Sequence, residues 1–312
     1  MRSILVLAGI LGGAIPATAQ DTPADSFGDT LVVTASLNEE SEASLPATVD
    51  VVDALEIRSR QSTEVLDLLA TLPSMSVVRS GSPGQVTSLF TRGTESNHTL
   101  AIWNGIELND PYFGGFNWAH LATDGLARVE VVRGPFSSLY GGDALGGVVQ
   151  ILSNRQQGVQ LNLEAGQDNY ARAGLSGGVR VGSGQFDVAG HTRQGDGQID
   201  NDDFASDELM VSGDWQISPA VNLGLVLRGL DAETGIAYSG GAPSPNRRIR
   251  WEERLVGVPL RFEQGDWKVQ GQISGVFYDN SFRDPDDAFG FTASDTESEV
   301  LRGRAVASYD LN

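Results

Sequence analysis

Apolar and polar residues alternate with a period of two through the second half of the chain, from about residue 157 to residue 312. Val159-Leu161-Leu163-Ala165 and Leu223-Leu225-Leu227 are clear examples. A period of two places successive side chains on opposite faces of a β-strand, so we predict about eight antiparallel strands here. Short turns alternate with long polar loops at 195–207, 235–246 and 283–295.

The stretch at 47–156 follows a different pattern, which mixes helical and strand periods. Ser62-Thr63-Glu64 precedes an apolar series through Leu72, which predicts a helix that Pro73 ends. Asn104-Gly105 predicts a hairpin turn. Short strands are predicted at 75–78, 86–91 and 99–103. The sequence therefore predicts a compact α+β domain ahead of the strand-rich block.

The N-terminus has the features of an export signal. Arg2 is followed by an apolar run at 4–15, and Ala17-Thr18-Ala19 fits a small-x-small cleavage site, so we predict a signal peptide over 1–19. Residues 20–46 form a polar, acidic arm around one β-prone island at 29–35. An isolated strand suits pairing with the sheet edge of a partner, although it also fits a first strand of the following domain.

Composition excludes several classes of function. The net charge is -20 with 21 basic residues in 312, which argues against binding to nucleic acid. The chain has no cysteine, so disulfides, thiol nucleophiles and Cys-ligated metals are excluded. Its three histidines lie in no catalytic motif, and we expect no enzyme activity. A secreted β-rich structural or adhesion protein remains an alternative to a membrane barrel.

The predicted strand count is too small for the predicted α+β domain to fit inside. About eight strands close around little more than their own side chains. Either the barrel is incomplete in this chain or the two blocks lie side by side. Because the alternation continues to residue 312 without a closing signal, we expect an N-terminal fragment of a longer protein.

Several motifs occur together in one order along the first half. They are DTLVVTA at 29–35, STEVLDLLATLPSMSV at 62–77, FTRGTESNHTLAIWNGIELND at 90–110 and VEVVRGPFSSLYGGDALGGVVQI at 129–151. With these motifs the chain resembles the TonB-dependent outer-membrane receptors, and most of all those that import cobalamin. The resemblance implies an α+β plug domain at 47–156, followed by the first part of a transmembrane antiparallel β-barrel at 157–312 in outer-membrane lipid.

The resemblance also implies partners. Energy would come from periplasmic TonB and its inner-membrane complex, through a TonB box within the arm at 20–46. The ligand would be cobalamin, or a ferric siderophore in the same family. The residues assigned to TonB are Asp29, Thr30, Leu31, Val32, Val33, Thr34 and Ala35. Those assigned to the ligand are Ser80, Gly81, Ser82, Gln85, Asp110, Tyr112, Phe113, Phe116 and Trp118.

Two further sets of charged residues carry expectations. Arg92, Glu130 and Arg133 are expected to contact the barrel wall, or else to be solvated charges at strand ends. An acidic loop gathers hard oxygen ligands, which favours Ca²⁺ as the family resemblance suggests, although a solvated acidic loop fits as well. No other cofactor is expected. The proposed calcium ligands are Asp196, Asp200, Asp202, Asp203 and Asp231.

Overall fold

The computed structural model describes residues 31–32, 40–41, 48–153, 158–239 and 241–309. Its first elements form a small antiparallel hairpin, in which strand β1 (Leu31–Val32) pairs with strand β2 (Glu40–Ser41). The predicted signal peptide and most of the acidic arm lie outside the described residues.

A mixed domain follows. Its elements are β3 (Thr48–Asp53), α1 (Ala54–Arg60), α2 (Val65–Leu69), β4 (Met75–Arg79), β5 (Thr87–Thr91), β6 (Thr99–Trp103), β7 (Ile106–Glu107), β8 (Leu126–Arg133), α3 (Ser137–Tyr140) and β9 (Gly147–Ser153). Five strands form a sheet in the order β3-β8-β9-β6-β7, with β3 at one edge, and β6 and β9 are parallel. The strands β4 and β5 form a separate hairpin. This α+β domain agrees with the prediction.

Local chemistry explains the helices and the tight turn. Asp53 caps α1 by accepting a 2.8 Å hydrogen bond from the Glu56 amide. The helix α2 ends at Leu69, so it stops before Pro73, which was predicted to end it. Its apolar side chains are buried. Asn104 and Gly105 both have positive φ, 46° and 84°, which matches the predicted two-residue hairpin turn between β6 and β7.

The second block is one large antiparallel sheet. Its strands are β10 (Gly158–Ala165), β11 (Ala171–Val181), β12 (Gly184–Gly195), β13 (Phe204–Ser218), β14 (Val221–Gly235), β17 (Arg248–Gln264), β18 (Trp267–Arg283) and β19 (Ala293–Tyr309). A two-stranded hairpin, β15 (Tyr238–Ser239) with β16 (Ala242–Pro243), lies in the loop after β14. The sheet has eight strands in chain order, and β10 does not pair with β19 among the described residues. The block is therefore an open part of a barrel, termed the wall below.

The mixed domain packs against one face of the wall. Leu108 accepts a 2.6 Å hydrogen bond from Tyr278 on β18, and the side chain of Gln272 donates to the Asn104 carbonyl at 3.1 Å. The opposite face exposes apolar side chains such as Leu161, Leu209 and Ile273. No helix in the described part of the chain is long and apolar enough to cross a bilayer.

The loops of the wall divide it into two ends. Turns after β11, β13 and β17 are two residues long, whereas the segments after β12, β14 and β18 are much longer. This asymmetry was predicted from the sequence. The two ends are termed the short-turn end and the long-loop end.

Candidate functional site at the plug apex and the plug–wall interface

The loop between β4 and β5 meets the wall at its long-loop end. The Ser82 hydroxyl donates a 3.0 Å hydrogen bond to Asp202, and the Gln85 amide donates to the Gly235 carbonyl at 3.1 Å. Gly84 has a φ of 86°, and a Cβ there would lie 3.1 Å from Phe204. Two of the predicted ligand residues therefore bind this loop to the wall, while Ser80 and Gly81 remain exposed.

Asp110 holds a second loop of the mixed domain in place. This loop and the loop between β4 and β5 form the end of the domain termed the apex. Its carboxylate accepts hydrogen bonds from the Tyr112 amide at 2.9 Å and from Ser298 on β19 at 2.8 Å. Asn280 on β18 donates to the other oxygen at 3.4 Å. Asp110 is buried among these partners and anchors the loop that follows it, while its contact with a ligand stays a prediction.

The aromatic residues of this loop divide into an exposed pair and a buried pair. Tyr112 and Phe113 are 66% and 58% exposed, and their rings meet edge to face at 5.0 Å. Trp118 is only 1% exposed and packs against Phe116 in the domain core. The surface available to a ligand is thus narrower than the sequence predicted, since Trp118 is part of the core.

Ion pairs connect the domain to the wall below the apex. Asp124 pairs with Arg172 on β11, with both side chains buried, and Glu64 pairs with Arg193 on β12. Glu107 lies 3.0 Å from Arg302 on β19. In each of these pairs the wall supplies the base and the mixed domain supplies the acid. Sequence reasoning missed them because the partners are far apart in the chain.

The charged residues predicted to face the wall have described partners elsewhere. Arg133 pairs with Asp50 at 2.7 Å and donates to the Pro73 carbonyl. Glu130 is fully buried and accepts a 2.7 Å hydrogen bond from Arg128. Arg92 is exposed, with a φ of 55°. The partners named for Arg133 and Glu130 lie in the mixed domain, and contact of these residues with the wall stays a prediction.

A charged group lies inside the wall beneath the domain. Arg228 pairs with Glu208 at 2.6 Å and also with Glu253, and its guanidinium lies 5.8 Å from the centre of the Trp103 ring of β6. Charges this deeply buried are stable only when paired, as they are here. The alternation along the sequence did not indicate that these three residues would pair.

His120 lies at the same interface without a hydrogen-bond partner. It is buried beside Trp251, and neither ring nitrogen is bonded among the described residues. Burial lowers its pKa well below the ordinary value, and the positive charges of Arg193 and Arg228 act in the same direction. The ring is therefore neutral at physiological pH.

The aspartates proposed as calcium ligands have other partners. Asp202 accepts hydrogen bonds from the backbone amides of residues 198 and 199, and hydrogen bonds from Arg248 lower the pKa of Asp203. Asp196 accepts from Asn169 at 2.5 Å. Asp231 lies within β14, where it binds Arg250, so its predicted place in a loop is wrong. No three acidic or histidine side chains in the described ranges are grouped as a metal site requires.

A mixed domain against the inner face of an antiparallel wall is the arrangement of a plugged β-barrel receptor. Residues 41–148 match the family model "TonB-dependent Receptor Plug Domain". The first block therefore matches a TonB-dependent receptor plug domain, and the wall beside it is an antiparallel sheet with the fold of part of such a receptor's barrel.

Individual relatives agree with this class. The chain is 40% identical over 146 residues to "Vitamin B12 transporter BtuB" of Vibrio vulnificus (strain YJ016), a match covering 46% of this chain and 24% of the relative. It is similar to the siderophore receptor PiuA of Acinetobacter baumannii, with a TM-score of 0.69, 17% identity and coverage of 88% of this chain and 44% of that one. It is also similar to the ferric yersiniabactin uptake receptor FyuA of Yersinia pestis, with a TM-score of 0.68 and 18% identity. That match covers 89% of this chain and 47% of FyuA. At these identities the two structures indicate the shared fold alone, and the chain spans less than half of each.

Proposed function

We propose that this chain forms the plug and part of the barrel of an outer-membrane receptor that binds cobalamin and imports it with energy transmitted by TonB. The 40% identity to a vitamin B12 transporter supports cobalamin as the ligand. The signal peptide predicted at 1–19 supports export to the outer membrane. No cofactor is part of this proposal, and calcium binding at the acidic loop stays a separate prediction.

The plug apex is where we propose that the ligand binds. Tyr112 and Phe113 present exposed aromatic surface on a loop that Asp110 anchors to two wall strands. A large ligand with an apolar face gains contact area from such rings. Because the loop is already anchored, binding costs little in additional ordering.

Cobalamin binding by the purified chain tests this proposal. We expect cyanocobalamin to quench the tryptophan fluorescence, and Tyr112→Ala or Phe113→Ala to weaken binding about tenfold, as for an aromatic anchor worth about 1.4 kcal/mol. Tyr309→Ala is the matched control, since Tyr309 is an exposed aromatic at the short-turn end. Binding of a ferric siderophore in place of cobalamin would identify a siderophore receptor instead.

We also propose that the predicted TonB box, 29–35, pairs with TonB as an added strand. Val32 pairs with Glu40 in the β1–β2 hairpin, so the partner strand would replace that pairing. Val32→Pro removes a strand donor and should weaken binding to the periplasmic domain of TonB at least tenfold, measured by titration calorimetry. Cobalamin binding should not change.

Ser26→Pro, in the arm outside the box, is the matched control and should leave TonB binding intact. Equal effects of the two proline substitutions on TonB binding would contradict the assignment of the box. Loss of cobalamin binding in Val32→Pro would contradict the separation of ligand binding from energy coupling.

A further inference from the structure

Strand register sorts the inward-facing side chains of the wall into rows that run across the sheet. One row, from β12 to β19, is almost wholly apolar and is termed the belt. Arg228 interrupts it on β14, where it lies over Trp103 of the plug. The apolar members are Ala189, Met210, Leu255, Val276 and Val300. The belt packs into the same apolar core as the plug.

Close approaches make the belt region tight. A Cβ added at Gly125 would lie 2.4 Å from the Cβ of Ala189. One row nearer the short turns, a Cβ at Gly257 would lie 2.2 Å from the Cδ1 of Ile106. Such distances mean that the plug and the wall are in direct contact at these two points.

Beyond the belt, toward the short-turn end, the plug and the wall separate. A cavity of about 620 Å³ opens there and is termed the inner chamber. The plug lines it with the Asn104-Gly105 turn, Arg128 and Tyr140. The wall lines it with polar residues such as Asn222 and with apolar residues such as Leu225 and Pro259. Its volume is within the range of about 300–1,000 Å³ found for small-molecule sites.

The chamber lining favours a negatively charged group. Arg128, Arg261 and Arg304 line it, and the Nη2 atom of Arg304 has no hydrogen-bond partner among the described residues. The lining also contains two carboxylates, Asp187 and Asp214, so its arginines outnumber its acids by one. Arg128 is already paired with Glu130, which leaves Arg261 and Arg304 as the bases available to an anion. Guanidinium groups bind phosphate and carboxylate oxygens strongly.

Carboxamide side chains also line the inner chamber. Asn104, Asn222 and Gln272 contribute side chains or backbone to the cavity wall, and Gln272 already bridges the wall to the plug. Carboxamides donate and accept hydrogen bonds, so they suit a polar solute that also carries neutral groups.

We propose that the inner chamber is a second solute-binding site, separate from the plug apex, which takes a polar solute carrying a phosphate or carboxylate group. Along the described wall, the belt lies between the two sites. The proposal rests on the arrangement of plug and wall and not on cobalamin as the ligand.

The absence of cysteine allows a direct test, because any cysteine introduced is then the sole thiol. Asn222→Cys places a thiol in the chamber beside Arg261, Val276→Cys places one in the belt, and Ser183→Cys places one in an exposed turn. The folded chain in detergent is treated with an anionic (sulfonatoethyl) or a cationic (trimethylammonioethyl) methanethiosulfonate, and labelling rates are measured by mass spectrometry.

We expect the belt thiol to be unreactive and the chamber thiol to react. Relative to the turn thiol, the chamber thiol should favour the anionic reagent roughly three- to fivefold, because Arg261 and Arg304 lie in a lining of mixed charge and not in a cleft of one sign, where the effect would be tenfold or more. Ser212→Cys, on the neighbouring strand, is a second chamber position to label if the circular dichroism spectrum of Asn222→Cys shows that this variant does not fold. No reaction at either chamber position, or equal rates with the two reagents, would overturn the proposal.

The variant Arg261→Gln tests whether this arginine causes the preference of the chamber thiol for the anionic reagent. It should reduce the anion preference several-fold, whereas Arg254→Gln, an outward-facing arginine on the same strand with a 77% exposed side chain, should not. Inorganic phosphate and acetate are then added as competitors. Protection by phosphate indicates a phosphate-bearing solute, and protection by acetate a carboxylate. Protection by neither, or an equal effect of the two arginine variants, counts against the site.

Discussion

His120 shows how a single buried side chain makes the stability of the folded chain depend on pH. The ring has an ordinary pKa of 6.5 when the chain is unfolded, and burial lowers that pKa in the folded protein. Above pH 6.5 both states are neutral at this residue, so the folded state has its full stability. Below that pH the unfolded chain takes up a proton that the folded ring does not accept, and stability falls.

We therefore expect the free energy of unfolding to decrease below about pH 6.5 by up to about 1.4 kcal/mol per pH unit. His120→Gln should reduce this slope, because glutamine does not titrate. Thermal unfolding of both proteins between about pH 5.5 and pH 7.5 measures the difference. An identical pH slope in the two proteins would show that His120 is not responsible.

The sequence predicted the apical residues only in part, because side-chain exposure depends on what packs above each residue. The loop with Tyr112, Phe113 and Trp118 was predicted as one aromatic cluster. The structure exposes the first two and buries Trp118 in the plug core. Asp110 was predicted to contact ligand, whereas its wall partners come from strands more than 150 residues later in the chain.

Elements with strong local signals were predicted well. The strand β6 and its Asn104-Gly105 turn match the prediction residue for residue. The helix α1 was missed, because only Ile57 of its side chains is buried and no apolar stripe marks it. The ends of the wall strands were predicted less well. Asp231 was predicted to lie in a loop but lies in β14, because polar residues continue into that strand.

Gly125 sets how closely the segment before β8 approaches β12. Its φ is 67°, and an added Cβ would meet the Cβ of Ala189. Gly125→Ala should destabilise the protein by about 2–4 kcal/mol, which combines left-handed backbone strain with overpacking. Urea unfolding monitored by tryptophan fluorescence measures this loss.

Two further variants separate the backbone strain from the overpacking. Gly182→Ala, with a φ of 61° and open space around it, should show the backbone strain alone. Adding Ala189→Gly to Gly125→Ala should restore the part due to overpacking. If the second substitution restores nothing, the contact between the segment and β12 is not what requires glycine.

For the whole molecule, the described plug–wall ion pairs have their acids on the plug and their bases on the wall. The strand number could be predicted from alternation, and the large sheet has the eight strands expected. The open wall was one of two alternatives that this number allowed. The pairing could not be predicted, because Asp124 and Arg172 are 48 residues apart and meet only once the plug lies against the wall.

Breaking this pair should weaken docking strongly. Asp124→Asn leaves Arg172 buried with only the partly exposed Glu164 at 3.4 Å, which should cost about 3 kcal/mol in urea unfolding. Arg254→Gln removes an exposed ion pair and should cost less than about 1 kcal/mol. Equal losses would mean that the buried pair contributes no more than a surface pair.

The place of β3 in the plug sheet has a mechanical consequence. Among the described strands β3 pairs with β8 alone, through residues 48–53, whereas β8, β9 and β6 are held on both sides. Tension applied to the arm ahead of Thr48 therefore acts first on an edge strand that is hydrogen-bonded on one side only. That strand can peel away under load while the three inner strands stay hydrogen-bonded to one another.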